Sequence, residues 1–342
     1  MDFDRVEGAD EAHEEIVHFS DGVTGLAGVI AIHSTALGPA AGGCRMAHYA
    51  DRDAAVLDAR RLSRGMSYKN AVAGLPAGGG KAVIYQVDPS ADRGAVFEAF
   101  GRSIEALGGR YITAEDVGTR VSDMQRVAKT TRFVAGLPSR GSTAGGDPSP
   151  WTAMGVFLAL EAAVGRPLDG CRVAVQGLGN VGYALAEQLA AAGVELFVSD
   201  HDPGRVQLAV EQLGARPVGS EGLFSTPCDI FAPCGFGGVL NAQTVGQLHC
   251  AAVAGAANNQ LAHADIADLL EARGILYAPD YVINSGGLIY VALRHRDEPL
   301  PAITAHLARI GRRLTEVYGR AQAEKRSPAR VADALAERIL YG

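Results

Sequence analysis

Short apolar stretches alternate with amphipathic stretches along most of this chain. Apolar stretches that end at turn residues predict buried strands, whereas apolar residues recurring every three or four positions predict helices packed on a sheet. In the first part of the chain the pattern predicts strands at residues 15–20, 26–34, 81–86 and 110–114. It predicts helices at residues 53–66 and 93–107, with Asp51 as the N-cap of the first.

Strand and helix alternate more regularly in the second part of the chain. Strands are predicted at residues 171–176, 194–199, 229–232, 251–255 and 275–278. Helices are predicted at residues 151–164, 183–192, 263–272, 303–322 and 328–340. Repeated strand–helix alternation implies a parallel sheet with right-handed crossovers, so the expected fold class is α/β with a doubly wound second domain.

The length and one loop predict where the chain divides. A chain of 342 residues is too long for one ordinary core and fits two domains. Residues 138–150 are rich in Gly, Pro and Ser and are the expected hinge. We therefore expect a first domain at residues 1–137 and a second at 138–327. The C-terminal helix, 328–342, is expected to pack back on the first domain.

A glycine-rich turn predicts the cofactor. The turn GLGNVG at 177–182 joins a predicted strand to a predicted helix, and Asp200 ends the next strand about twenty positions later. This layout binds a dinucleotide, because the glycines let a pyrophosphate approach the helix N-terminus while the acid accepts hydrogen bonds from the ribose. An aspartate there repels a 2′-phosphate, so NAD is favoured over NADP. The expected cofactor residues are Gly177, Gly179, Asn180, Val181, Gly182, Asp200 and Asn284, the last of which opens a second glycine-containing helix.

Two lysines supply the candidate chemistry. Lys69 and Lys81 flank a stretch without other charges, and Lys81 follows three glycines. Glycines let backbone and ligand approach closely. Two ammonium groups in one pocket would bind a carboxylate, and each would favour the neutral form of the other, as a general base requires.

Composition excludes several classes of protein. Apolar residues make up 48% and charged residues 20% of the chain, as in soluble globular proteins. A net charge of −7 argues against nucleic acid or an anionic membrane as partner. Five scattered cysteines indicate reduced thiols, and the acidic N-terminus has no signal-peptide pattern, so a cytoplasmic location is expected. The histidines form no metal-binding pattern, and no metal is assigned.

Taken together, these motifs resemble those of the leucine/phenylalanine/valine dehydrogenases of the glutamate dehydrogenase superfamily. The resemblance runs from about residue 17 to about residue 296, in the same order and spacing. The segments that carry it are 37–46, 64–70, 78–84, 113–119, 177–182, 255–259 and 277–287.

The resemblance implies NAD-dependent, reversible oxidative deamination of an L-amino acid to a 2-oxo acid and ammonia. It places Lys81 as the catalytic lysine, Lys69 as the lysine that holds the substrate carboxylate, and Asp116 as the proton-exchanging aspartate. Asn258 or Asn259 would hold the substrate beside the nicotinamide, and Gly42 would lie in a loop that meets the substrate backbone. It also makes residues 1–137 the substrate-binding and oligomerisation domain, and implies a homo-oligomer of undecided size.

The substrate side chain is expected to be apolar. Glutamate dehydrogenases carry a lysine and a serine at the positions matching Ala41 and Val291, and an unpaired buried carboxylate would cost several kcal/mol. The expected pocket comprises Ala41, Ala114, Leu288 and Val291, with Met66 nearby. Ala41 and Leu288 resemble the choice of phenylalanine enzymes, whereas Ala114 resembles that of leucine and valine enzymes. Phenylalanine is slightly favoured.

Other functions stay open at this point. The first is a branched-chain (leucine/valine) dehydrogenase. The second is a catalytically silent NAD-binding regulatory protein on the same scaffold, against which the joint presence of Lys69, Lys81 and Asp116 argues. A 2-hydroxy acid dehydrogenase would need a histidine base positioned by a carboxylate, and the sequence offers no candidate arrangement. The physiological direction of the reaction is undecided.

Overall fold

The structure, a computed structural model, describes residues 2–7, 13–138 and 147–342. The chain forms two compact units. The first contains the described residues up to 138 together with Arg294–Arg296 and Ala336–Gly342. The second contains Asp147–Leu293 and Asp297–Leu335. Most of the predicted hinge, residues 139–146, lies outside the described residues.

The first unit is built on a mixed six-stranded sheet. Its strands are β1 (Asp2–Glu7), β2 (Glu15–Asp21), β3 (Leu26–Ser34), β4 (Ala40–Met46), β5 (Gly78–Gln86) and β6 (Tyr111–Glu115). Its helices are α1 (Arg52–Val72), α2 (Arg93–Glu105) and α3 (Val121–Val127). The strand order is β1-β2-β3-β5-β4-β6, antiparallel as far as β5 and parallel from β5 through β4 to β6.

Two apolar clusters cover this sheet. One joins the strands to α2 and α3 through Phe97, Phe100 and Met124, all buried. A smaller one joins α1 to β3 and β5 through Ala55, Ala59 and Val83. The sheet is therefore packed between helices, and the parallel strands β5, β4 and β6 end side by side.

Three local predictions for this unit were wrong. Helix α1 extends to Val72, beyond the predicted end at 66, so Lys69 lies in its last turn. The glycine triplet belongs to strand β5 and does not precede it. Residues 40–46 form strand β4, so Gly42 lies in a strand and not in a loop. Glycine-rich segments are hard to recognise as strands in a sequence, because glycine generally weakens a strand. It often marks a place where another backbone approaches closely.

The second unit is a parallel sheet with helices wound around it. Its strands are β7 (Arg172–Gln176), β8 (Glu195–Ser199), β9 (Arg216–Pro217), β10 (Ile230–Pro233), β11 (Ala252–Val253) and β12 (Leu276–Tyr277). The strand order is β12-β11-β10-β7-β8-β9. The chain adds strands on one side of β7 through β8 to β9 and then on its other side through β10 to β12, as in a doubly wound dinucleotide fold. The predicted α/β fold class, with a Rossmann-type domain, is confirmed.

In the described residues, this part of the chain forms helices at the predicted positions, to within a few residues, and also at several positions where none was predicted. They are α4 (Ser149–Val164), α5 (Asn180–Ala191), α6 (Pro203–Leu213), α7 (Ser220–Phe224), α8 (Ala242–Gln247), α9 (Ile266–Ala272), α10 (Asp280–Ile283), α11 (Gly286–His295), α12 (Leu300–Leu307), α13 (Arg309–Glu324) and α14 (Pro328–Tyr341). The helix predicted at 303–322 is instead two helices that meet at Ala308. Throughout the described ranges, no helix is both long enough and apolar enough to cross a membrane.

Candidate active site

Lys81 lies in the middle of the first sheet. It follows the glycine triplet in β5 and is only 5% exposed. Its Nζ lies 2.7 Å from Oδ2 of Asp116, the residue that follows the last residue of β6. Because β4 lies between β5 and β6 and all three run parallel, the pairing of β4 with both strands brings these two side chains together. The sequence-predicted catalytic pair is therefore in direct contact.

A third charged residue, Arg45, completes this contact. Arg45 Nε lies 3.0 Å from Asp116 Oδ2, the same oxygen that Lys81 contacts. Its Nη1 lies 3.0 Å from Asp58 Oδ2, which also accepts a 2.6 Å hydrogen bond from Tyr49. Arg45 was not among the site residues predicted from the sequence. The available signal was that it is the single charged residue of the glycine-rich stretch 40–46.

The charges around Asp116 settle its ionisation. Partial burial by itself raises the pKa of the Asp116 carboxyl. The attraction and hydrogen bonds of Lys81, followed by those of Arg45, outweigh burial, so the pKa lies below its usual value. Asp116 is thus a carboxylate at neutral pH, able to accept a proton and hydrogen bonds.

Lys69 lies in the last turn of α1, and its helix packs directly on β5. A Cβ built on Gly79 would lie 2.1 Å from the backbone nitrogen of Ser67, so only glycine allows this approach. Lys69 is half-buried. The two lysines of the sequence motif thus come from a helix and a strand that touch at Gly79.

The glycine and apolar residues predicted in the substrate site lie around the same strands. A Cβ on Gly42 would lie 1.8 Å from the carbonyl oxygen of Gly80 and 3.2 Å from Met66 Cγ. The carbonyl of Gly42 accepts a 2.6 Å hydrogen bond from the buried Tyr111 hydroxyl. Half-buried Ala41 and Ala114 occupy the adjacent strands β4 and β6, Ala114 being paired with Gly43. Gly42, Met66, Ala41 and Ala114 therefore belong to the strands and helix that carry the charged residues.

In the second unit, the glycine turn has the shape that a dinucleotide requires. Gly177 has φ 92°, which favours glycine, and a Cβ on Gly182 would lie 1.9 Å from the Gly177 carbonyl oxygen. Gly179 is the N-cap of α5, so the first N–H groups of the helix, from Asn180 and Val181 onward, follow the turn. These open donors at a helix N-terminus fit a pyrophosphate.

Asp200 is anchored beside this turn. Its carboxylate accepts backbone hydrogen bonds from Leu178 at 2.5 Å and Asp202 at 2.8 Å, and His201 Nδ1 lies 3.1 Å away. Burial raises the pKa of Asp200, but the two backbone N–H bonds and the nearby His201 and Arg205 lower it overall. An ionised carboxylate, which can accept hydrogen bonds from ribose hydroxyls, therefore lies next to the glycine turn.

The amide residues form a second group in this unit. Asn284 is buried, and its Nδ2 donates to Asn258 Oδ1 at 2.8 Å and to the carbonyls of Ala256 and Ala257. Asn259 has φ 51°, a left-handed conformation that Asn tolerates. Within the described residues, the buried oxygens Asn284 Oδ1 and Gln176 Oε1 have no hydrogen-bond partner. Buried polar atoms seldom stay unpaired, so these two fit a site that a polar ligand completes.

Leu288 and Val291, the remaining predicted pocket residues, lie on α11, which begins two residues after Asn284. Both are half-buried. Their separation of three positions places them on one face of the helix. The side chains at both positions are apolar, in agreement with an apolar ligand.

Known proteins with similar sequences and structures are amino acid dehydrogenases. A family model for the dimerisation domain of Glu/Leu/Phe/Val dehydrogenases matches residues 13–133, and one for glutamate/leucine/phenylalanine/valine dehydrogenase matches residues 206–298. Leucine dehydrogenase from Bacillus subtilis is 50% identical over 82% of this chain and 78% of its own length. Phenylalanine dehydrogenase from Lysinibacillus sphaericus is 41% identical over 96% of this chain and 89% of its own. The crystal structure of L-tryptophan dehydrogenase from Nostoc punctiforme is 39% identical, with a TM-score of 0.87 and 96% of each chain covered.

Proposed function

The chain belongs to the leucine/phenylalanine/valine dehydrogenases of the glutamate dehydrogenase superfamily, and from that premise we propose that it catalyses the NAD-dependent, reversible oxidative deamination of an apolar L-amino acid. It is an enzyme that acts on the CH–NH2 group and uses a nicotinamide cofactor. The products would be a 2-oxo acid and ammonia. The observation that carries the proposal is the contact between buried Lys81 and Asp116. Lys81 lies on strand β5, which packs against the helix that carries Lys69.

The residues of the first unit suit the acid–base part of this reaction. Removal of hydride from the substrate Cα leaves an iminium, which water must attack to release ammonia. Lys81, in its neutral form, would take a proton from that water and become an ammonium group, and Asp116 would exchange protons with the substrate nitrogen. Lys69 would hold the substrate carboxylate by charge. Burial of Lys81 strengthens these interactions, because charges interact more strongly away from water.

The cofactor would be held by the second unit. Gly177, Gly179 and Gly182 with the N-terminus of α5 would receive the pyrophosphate, and Asp200 the adenosine ribose. Bound NAD supplies the acceptor for hydride. Asn258 is a better candidate than Asn259 for the side-chain amide that holds the substrate. Its side chain is oriented by Asn284, and an oriented side chain loses less entropy on binding.

The substrate would be apolar. Ala41, Ala114, Leu288 and Val291 offer neither a cation nor a hydroxyl to pair with a side-chain carboxylate, so glutamate would bind with an unpaired charge. Apolar pockets discriminate by only about 1–3 kcal/mol per methylene, so broad specificity is expected. Phenylalanine stays slightly favoured on the pocket residues, whereas the leucine enzyme of Bacillus subtilis has the higher identity of the two relatives with matching names.

We also propose that the chain acts as a homo-oligomer. The family model that matches residues 13–133 is described as a dimerisation domain. Sedimentation or light scattering of the purified protein would measure the assembly, and a mass equal to one chain of 35.5 kDa would contradict this proposal.

One assay tests the proposed function. Reduction of NAD and of NADP is followed by absorbance with phenylalanine, leucine, valine, tryptophan and glutamate as substrates, and Lys81→Ala serves as the inactive control. We expect the highest kcat/KM for a large apolar amino acid with NAD. Glutamate as the best substrate would overturn the assigned pocket, and leucine above phenylalanine would overturn only the phenylalanine preference. No activity with any L-amino acid would overturn the function.

A further inference from the structure

Two positively charged side chains meet on one oxygen of Asp116. Lys81 Nζ at 2.7 Å and Arg45 Nε at 3.0 Å both contact Oδ2. Within the described part of the chain, Asp116 Oδ1 accepts no hydrogen bond, and the Asp116 side chain is 25% exposed. One oxygen thus contacts both protein cations, while the other accepts no hydrogen bond from the described residues.

The position of Arg45 is itself fixed. Its second contact is to Asp58 on α1, at 3.0 Å, and Asp58 in turn accepts the 2.6 Å hydrogen bond of Tyr49. Arg45 pairs with Val83 in the strand register, and Lys81 lies two residues before Val83, so the two cations point to the same face of the sheet. A guanidinium held at both ends loses little further freedom when it binds Asp116.

We propose that Arg45, oriented by Asp58 and Tyr49, is a positioning residue that fixes Oδ2 of Asp116 and keeps this carboxylate paired while Lys81 gives up or regains its proton. The inference rests on the proposed function of Lys81 and Asp116. Its physical basis is that Arg stays charged throughout the accessible pH range, whereas Lys can lose its charge. Without Arg45, deprotonation of Lys81 would leave Asp116 unpaired in a largely buried place, which is costly.

Two titratable groups close to Asp116 add no charge to it. Cys44 from β4 and Tyr111 from β6 are fully buried, and burial raises the pKa of each far above its usual value. The charge balance at Asp116 is therefore set by Lys81 from β5 and Arg45 from β4, with Asp58 from α1 and Tyr49 facing Arg45 on its other side. Removing Arg45 should stabilise the protonated form of the Lys81–Asp116 pair as a unit.

The pH profile of kcat/KM tests this role with Arg45→Met, Arg45→Lys and Asp58→Asn. The acid limb is the low-pH range of this profile, in which kcat/KM falls as pH is lowered. In Arg45→Met we expect the acid limb to move to higher pH by roughly one to three pH units, which is the effect of one nearby opposite charge. We also expect kcat to fall by a larger factor than KM rises. In Arg45→Lys the acid limb should lie close to its wild-type pH, because the variant keeps the positive charge. Its kcat should lie between those of Arg45→Met and the wild type. Asp58→Asn should lower kcat with a smaller shift of the limb.

The control is Arg110→Met, which breaks an arginine–carboxylate pair with Glu15 at the opposite end of β6. It should lower stability and leave the limb in place. If the wild type oxidises amino acids and the limb of Arg45→Lys and Arg45→Met coincides with that of the wild type, the role of Arg45 is wrong and the proposed function stands. A wild type inactive on every amino acid would instead overturn the proposed function and this role together.

Discussion

Asn70 Nδ2 donates a 2.6 Å hydrogen bond to the carbonyl of Gly78, and so ties the helix of Lys69 to the strand of Lys81. Asn70 is fully buried in the last turns of α1, and Gly78 is the first residue of β5. Within the described residues, the other amide atom of Asn70, Oδ1, is buried without a partner. Asn70 therefore makes one strong contact at the cost of an unpaired acceptor, at the point where the two lysine-bearing elements meet.

We predict that Asn70→Ala destabilises the protein and slows catalysis. The buried Gly78 carbonyl would lose its partner, which costs about 1–3 kcal/mol. Displacement of the glycine triplet that precedes Lys81 should lower kcat by about tenfold or more. Urea unfolding and steady-state kinetics check both effects. Asn241→Ala, which removes the N-cap of α8, should cost about 1 kcal/mol and leave kcat unchanged. Equal losses of kcat in the two variants would contradict the role of Asn70.

The two lysines should separate in kinetics. Lys81→Ala should reduce turnover by roughly a hundredfold or more, because it removes the general base, yet leave the Kd of NAD nearly unchanged. Lys69→Ala should mainly raise KM for the amino acid. Lys129→Ala, which breaks a 3.1 Å surface pair with Glu98, is the matched control and should change neither value. More than a few per cent of wild-type rate in Lys81→Ala would show that another group is the base.

Asp200 should set the preference between NAD and NADP. Its carboxylate is anchored by the backbone N–H groups of Leu178 and Asp202 and would lie against a 2′-phosphate as a fixed negative charge. Asp200→Ser should weaken NAD binding and raise the ratio of NADP to NAD efficiency. Fluorescence titration with each reduced cofactor measures this without catalysis. Comparable affinities of the wild-type protein for both cofactors would show that Asp200 does not discriminate.

Two buried histidines should make the protein less stable in acid. His33 Nδ1 lies 2.8 Å from Ser67 Oγ, and burial, with lesser repulsion from His13 and Arg64, lowers the pKa of His33 to about 4. Burial also lowers the pKa of His13, whose ring stands edge-on to that of His33 at 4.9 Å.

The sign of the effect follows from proton binding. As pH falls below 6.5, the ordinary pKa of histidine, His33 binds a proton in the unfolded chain but stays neutral in the folded protein. Stability therefore decreases from pH 6.5 down to about 4, by at most about 1.4 kcal/mol per pH unit for this histidine. Urea unfolding across this range should show a shallower slope in His33→Asn. The exposed His48, changed to Asn, should leave the slope as in the wild type; an unchanged slope in His33→Asn would refute the assignment.

Much of the fold and part of the site could be predicted from sequence, because their signals are local. The GLGNVG turn, the acid at 200 and the alternation of strand and helix each depend on residues close together in the chain, so the doubly wound unit was predicted with its strands in nearly correct places. The N-cap Asp51 was likewise correct, since its side chain accepts from the nearby nitrogen of Ala54.

The rest was decided by tertiary structure. Strand β4 looks like a loop in sequence because of Gly42 and Gly43, yet a side chain at Gly42 would collide with Gly80, so the glycines exist for close packing of strands. The meeting of Arg45 with Asp116 joins residues 71 positions apart, and its geometry depends on the parallel pairing of β4 with β6. Sequence by itself determined the chemical groups and the fold class; only the folded sheet decided that Arg45 and Lys81 share one oxygen of Asp116, because that contact arises from strand order and register.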